Sequence, residues 1–86
     1  MIVSIPAPLR SYTTEQREVQ AVGASIGEVL AKLDQRFPGI RFRIVTEQDQ
    51  IRPHIRIFVN GEQVPDLGTP VQPDDQIHIV CALSGG

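Results

Sequence analysis

Ser25-Ile26-Gly27-Glu28-Val29-Leu30-Ala31-Lys32-Leu33-Asp34-Gln35-Arg36-Phe37-Pro38-Gly39 is the best-specified stretch of this 86-residue chain. Ser25 followed three residues later by Glu28 matches a capping box, in which each side chain satisfies a backbone N–H that a helix start leaves unpaired. Ile26, Val29, Leu30, Leu33 and Phe37 then recur at helical spacing. Pro38 disfavours helical geometry in the residue before it, and Gly39 tolerates the left-handed turn that often follows a helix. The spacing predicts a helix over 26–37 with one apolar face, and that face has to be covered by the rest of the chain.

The flanking sequence supplies strands. Upstream, Ile2-Val3-Ser4-Ile5 is β-branched and stops at Pro6-Ala7-Pro8, whose prolines cannot donate to a central ladder; this predicts a strand over residues 1–6. Glu18-Val19-Gln20-Ala21-Val22 alternates polar and apolar and predicts a second, joined to the first as a hairpin through Arg10–Arg17. Downstream, Arg41-Phe42-Arg43-Ile44-Val45 reads as a short strand and Thr46–Pro53 as an exposed polar loop. His54-Ile55-Arg56-Ile57-Phe58-Val59-Asn60 alternates, with Ile55, Ile57 and Val59 on one face. Asn60-Gly61 is a tight-turn signal leading into a short strand at Glu62-Gln63-Val64. Pro73-Asp74-Asp75 is another turn, and Gln76-Ile77-His78-Ile79-Val80-Cys81-Ala82 is the final strand. A hairpin, one crossover helix and further strands make an α+β roll with a mixed sheet covered by one main helix, the β-grasp or ubiquitin-like arrangement. The expected organisation is a β-grasp domain over 1–82 and a flexible C-terminal Gly-Gly tail over 83–86.

Composition narrows the function. With 41% hydrophobic and 21% charged residues and a mean hydropathy of −0.07, the chain fits an ordinary globule. Its length implies a radius of gyration of roughly 12 Å, which leaves little room for a built-in cleft. No run approaches the ~18 apolar residues that span a bilayer, and the start lacks a signal peptide's basic flank and length, so no membrane association and a cytoplasmic location are expected. Ten acids against eight bases argue against nucleic acid as a partner, because phosphate-backbone binding needs a net-positive face. There is a single lysine, Lys32, beside seven arginines, which poorly supports chain-building through lysine. One cysteine rules out an internal disulfide, a four-thiolate zinc site and a ferredoxin-type cluster, and no metal site is expected.

No Gly-rich phosphate loop, paired-His helix or Ser-centred nucleophile elbow occurs, which argues against an autonomous enzyme. Cys81 invites a nucleophile or persulfide reading, but it shares a strand face with Ile77 and Ile79 and has no basic neighbour in sequence to lower its pKa; it reads as a small core hydrophobe. His54 and His78 read as half-exposed sheet residues rather than ligands, and Asp74-Asp75 as turn chemistry. Phe58 falls opposite Ile55, Ile57 and Val59, and Val80 and Ala82 fall opposite Ile77 and Ile79. If the two strands are neighbours, Phe58, Val80, Ala82 and Leu83 form an exposed apolar patch beside the tail, of the kind that marks interaction sites. The alternative is that the 46–53 loop folds over them.

The strongest feature is Ser84-Gly85-Gly86. Two glycines without Cβ atoms make a thin segment able to enter a narrow channel. The five residues from Ala82 onward extend at most about 17 Å, enough to place Gly86 in another protein's active site. Taken with Ile57-Phe58-Val59-Asn60-Gly61 leading toward Val64, and Pro73-Asp74-Asp75-Gln76-Ile77 opening the last strand, this end resembles the ThiS/MoaD family of ubiquitin-like sulfur carriers over almost the whole chain.

The resemblance implies that an ATP-dependent adenylating (activating) enzyme would adenylate the carboxylate of Gly86. Sulfur would then replace AMP to give a C-terminal thiocarboxylate. Gly85, Ser84 and Leu83 would line the partner's channel, and Phe58, Val80 and Ala82 would help dock the body. The chain itself would bind no cofactor, ATP being used by the activating partner. The sulfur acceptor implied is a synthase, either a PLP-dependent cysteine synthase, which Val3-Ser4-Ile5-Pro6 with Leu9-Arg10 favours, or a molybdopterin synthase large subunit. Two rival readings share this end: a ubiquitin-like modifier joined through Gly86 to other proteins, and a binding module with an inert tail.

Overall fold

The computed structural model describes residues 1–82. In chain order these form strand β1 (Ile2–Ser4), a 3-10 helix (Ala7–Thr13), β2 (Glu18–Gln20), helix α1 (Ile26–Arg36), helix α2 (Ile40–Ile44), β3 (Ile55–Val59), β4 (Glu62–Gln63) and β5 (Gln76–Cys81). The five strands make one sheet in the order β2-β1-β5-β3-β4. β1 runs parallel to β5, with Val3 level with Ile77, and the other pairings are antiparallel, with Ile57 level with Ile79. A central parallel pair flanked by hairpins, with one long helix on the inner face, is the α+β β-grasp roll expected from the sequence.

α1 forms as its sequence directs. Ser25 Oγ accepts from the Glu28 N–H at 3.2 Å, and Glu28 Oε1 accepts from the Ala24 N–H, one residue beyond the Ser25 N–H of a full reciprocal box. Ile26, Val29, Leu30 and Leu33 are buried and meet the inward residues of the sheet, among them Val3, Ile57, Ile77 and Ile79. Each such side chain taken fully from water contributes roughly 1.5–3 kcal/mol before conformational entropy is subtracted. Beyond the helix, Gly39 adopts φ +96°, a left-handed turn that L side chains resist. Asp34 Oδ1 accepts from the N–H groups of Gly39 and Arg41, both at 3.1 Å, tying α1 to the start of α2.

Arg41–Val45 is not a strand. Ile40 and Ile44, four apart, both point into the core from α2, and Val45 follows them, while Phe42 is 55% exposed. A strand would have placed Phe42 and Ile44 on one buried face; helical spacing selects Ile40 and Ile44 instead. The polar hairpin connection also carries unexpected structure, since the 3-10 helix buries Leu9 and Thr13, with the Thr13 hydroxyl 2.8 Å from the Gln16 carbonyl. The remaining strands are those expected, a residue or more shorter at their ends. At Asn60-Gly61 both residues have positive φ, 52° and 88°, as a two-residue hairpin turn matched to strand twist requires.

Candidate functional site at the end of the central strand

β5 pairs with β1 over Gln76–His78 and with β3 over Ile77–Cys81, so the end from which the tail leaves the sheet is held by β3. The pairing continues past the strand, where the Ala82 N–H donates to the His54 carbonyl at 2.7 Å. Leu83, Ser84, Gly85 and Gly86 lie outside the described residues. The site that can be described is therefore the root of the tail and the surface around it.

Strand register fixes what shares that surface. Phe58 pairs with His78 and Arg56 with Val80, so the outward face carries Arg56 and Phe58 on β3 beside His78 and Val80 on β5. Val80 is 41% exposed and Ala82 is exposed; Phe58 is half-buried between the His78 and Gln63 positions and does not join the core. The two strands are neighbours, as the patch reading required. Phe58 and Val80 are diagonal partners, a spacing at which an aromatic ring can reach across. Within the 46–53 loop, Ile51 turns back to bridge Val45 and pack against the core, and Arg52 lies over Phe42.

Cys81 faces inward with Ile77 and Ile79 and packs at the core's edge, half-buried rather than sealed. Burial pushes its thiol pKa up, and the nearby Arg43 guanidinium pulls it back only in part. No basic residue adjoins Cys81 in sequence; the fold brings Arg43 from α2, and the desolvation still dominates. His78 is exposed on the outer face and His54 is exposed just before β3. Among the described residues no group of three or more His, Cys, Asp or Glu could hold a metal. Asp75 does turn chemistry, accepting from Asn60 Nδ2 at 2.9 Å and from the Gln72 N–H at 2.8 Å, while Asn60 Oδ1 accepts from the Gln76 N–H. That network locks the β3–β4 turn to the start of β5, at the end remote from the tail.

The family model described as the ThiS family matches residues 3–86. The chain belongs to the ThiS family. This ThiS-family chain is 34% identical over 89 residues to the sulfur carrier protein CysO of Mycobacterium tuberculosis, a match covering 98% of the chain and 96% of that protein. Its fold is similar to a chain in the crystal structure of the Amycolatopsis orientalis BexX/CysO complex, with TM-score 0.92, 34% identity, and coverage of 99% of this chain and 98% of that one. It is also similar to the small archaeal modifier protein 1 of Methanosarcina acetivorans, with TM-score 0.82, 26% identity, and coverage of 99% and 94%.

Sequence reasoning missed one set of residues in this ThiS-family chain. Phe42, Arg43, Arg52 and His54 line a single open depression beside the tail root. Their signal was present as the arginine-rich run from 41 to 56, but the run was divided between a strand and a loop, and nothing in the sequence placed it against residues 81 and 82.

Proposed function

We propose that this chain is a sulfur carrier, a protein-borne cosubstrate rather than an enzyme, whose cargo sits on the carboxyl carbon of Gly86. An ATP-dependent activating enzyme joins the carboxylate oxygen to the α-phosphorus of ATP, releasing pyrophosphate. A sulfur nucleophile at the hydrosulfide oxidation level then attacks the acyl carbon, the C–O bond breaks, and AMP departs with its electron pair. The product is a thiocarboxylate. The chemistry needs the first step because a carboxylate is a poor electrophile, whereas an acyl adenylate has a good leaving group. Leu83, Ser84 and Gly85 thread the partner's channel, and Phe58, Val80 and Ala82 dock the body.

The observation that carries this reading is the pinning of Ala82 to His54 where the β3–β5 ladder ends, with a Gly-Gly end four residues on. Membership of the ThiS family and the likeness to CysO carriers support it. For the acceptor we assign a PLP-dependent cysteine synthase over a molybdopterin synthase large subunit, supported by the likeness to CysO along nearly the whole chain. Intact mass spectrometry after incubation with ATP, a sulfide source and the host's activating enzyme tests the reading. The expected result is a mass gain matching replacement of one oxygen by sulfur, localised to Gly86; an unchanged terminus with a demonstrably active enzyme overturns it.

A second reading, in which activated Gly86 is joined to a lysine of another protein, is favoured by the structural likeness to a small archaeal modifier protein. High-mass conjugates recovered from cells under sulfur and oxidative stress distinguish it, since a dedicated sulfur donor leaves none.

A further inference from the structure

The chain is acidic overall, yet its charge is unevenly distributed along β3. Arg43, Arg52 and Arg56 gather at the strand's start, where β5 ends and the tail departs. Between residues 57 and 82 no lysine or arginine occurs; Glu62, Asp74 and Asp75 stand toward the strand's far end, where Asn60 and Asp75 bond to each other, while Asp66 lines a hollow with Asp49 and Ile51 nearer its start. The basic group is not neutralised internally. Among the described residues, the salt bridge formed is Arg41 to Asp49 at 2.8 Å, which leaves Arg43, Arg52 and Arg56 without a carboxylate.

Backbone carbonyls position two of these guanidinium groups, those of Arg52 and Arg56. Arg52 Nε donates to the Phe42 carbonyl at 2.8 Å and its guanidinium carbon lies 4.7 Å from the Phe42 ring centroid; Arg56 Nη1 donates to the Ile55 carbonyl at 3.1 Å. A carbonyl orients a cation without cancelling its charge, so part of the ordering cost of a long side chain is met before any partner arrives. Phe42, 55% exposed, gives the cluster an apolar centre.

We propose that Phe42, Arg43, Arg52 and Arg56 form a basic collar at the tail's exit that docks on an acidic protein surface flanking the channel into which the tail passes. The proposal rests on the reading that the tail enters a partner's active site, and adds the charge of the surface around the entrance. A nucleic-acid backbone is the poorer fit, because a polyanion extended along β3 runs onto the acidic end. With the collar at one end and Glu62, Asp74 and Asp75 at the other, this charge asymmetry turns the tail toward an acidic entrance before contact.

The test measures association of the intact chain, and of a chain lacking Gly85-Gly86, with the host's ATP-dependent activating enzyme by stopped flow. Arg43→Glu with Arg56→Glu is expected to slow association about tenfold or more at ~50 mM salt, with the difference closing near ~0.5 M salt. The neutral pair Arg43→Gln with Arg56→Gln gives a smaller loss and guards against misfolding of the reversed pair; Glu62→Arg, at the other end, leaves the rate unslowed. Unchanged association in both arginine pairs, an equal loss in Glu62→Arg, or comparable binding to duplex DNA overturns the proposal. The carrier reading fails separately: no mass gain at Gly86 with the salt-dependent loss intact refutes that chemistry and leaves the collar, whereas a normal mass gain with unchanged association refutes the collar alone.

Discussion

Ile79 and Val80 are adjacent on β5 and point to opposite faces, and alanine at each separates the core from the docking surface. Ile79 is 3% exposed, against Ile57 on the neighbouring strand. Ile79→Ala removes three methylene equivalents, about 2.4 kcal/mol of transfer free energy at ~0.8 each, and a partly collapsed cavity raises the loss to about 3–4 kcal/mol. Val80 is 41% exposed. Val80→Ala removes two equivalents that are a little over half buried, about 1 kcal/mol, and opens no enclosed cavity. At roughly 4–8 °C of melting temperature per kcal/mol for a domain of this size, Ile79→Ala melts some 12–30 °C lower and Val80→Ala only about 4–8 °C lower. Affinity for the activating enzyme should move the other way. Folded Val80→Ala loses about fivefold, near 1 kcal/mol of contact, while Ile79→Ala, measured well below its melting point, binds as the parent chain does. Thermal melts beside titration calorimetry read both quantities. Equal destabilisation by the two variants would mean that the outer face is covered, and unchanged affinity in Val80→Ala would remove that face from the docking surface.

Phe58→Ala, on the same face and outside the core, should weaken partner binding more than it lowers the melting temperature; a loss of 3 kcal/mol or more in denaturant titration, the range for a core phenylalanine, would return Phe58 to the core. Gly23→Ala should destabilise by about 1–3 kcal/mol in urea titration, because its Cβ would stand 2.8 Å from the Val29 backbone nitrogen and 2.9 Å from Val29 Cγ2. Since burial raises the Cys81 pKa, the reactive thiolate is scarcer at a given pH: iodoacetamide should label it more slowly at neutral pH than a cysteine in a short peptide, with the rate rising at higher pH than the peptide's, and Cys81→Ala should keep sulfur transfer. One residue added after Gly86 should abolish thiocarboxylate formation by intact mass, because the carboxylate no longer sits on the glycine that the activating enzyme reaches.

What the sequence disclosed follows from the range of the interactions involved. α1 was legible because its cap, its apolar face and its stop all act within a few residues. The faces of β3 and β5 were legible because alternation assigns them before any partner strand is known, and Asn60-Gly61 named its own turn. α2 was not, because over five residues the pairs Ile40/Ile44 and Phe42/Ile44 satisfy helical and strand periods equally, and the choice is made by what lies beneath them. The arginine collar was beyond local reasoning for a related reason. Arg43 and Cys81 stand far apart in sequence, and only the β3–β5 register with α2 packed beside it makes them neighbours.

The division of labour in this chain follows from where its strands end. The relatives at 34% identity are named sulfur carrier proteins. On the carrier reading proposed above, this chain presents a reactive carbon to enzymes that perform the bond chemistry. Presentation demands a held root, and β3 provides one: its ladder with β5 runs to Cys81 and continues in the Ala82–His54 bond, while β1 anchors the strand further back, over Gln76–His78. It also demands that the same end approach more than one enzyme in turn. The apolar patch and the proposed arginine collar serve that need together, since charge at the rim governs how quickly partners meet, while buried apolar area governs how long they stay.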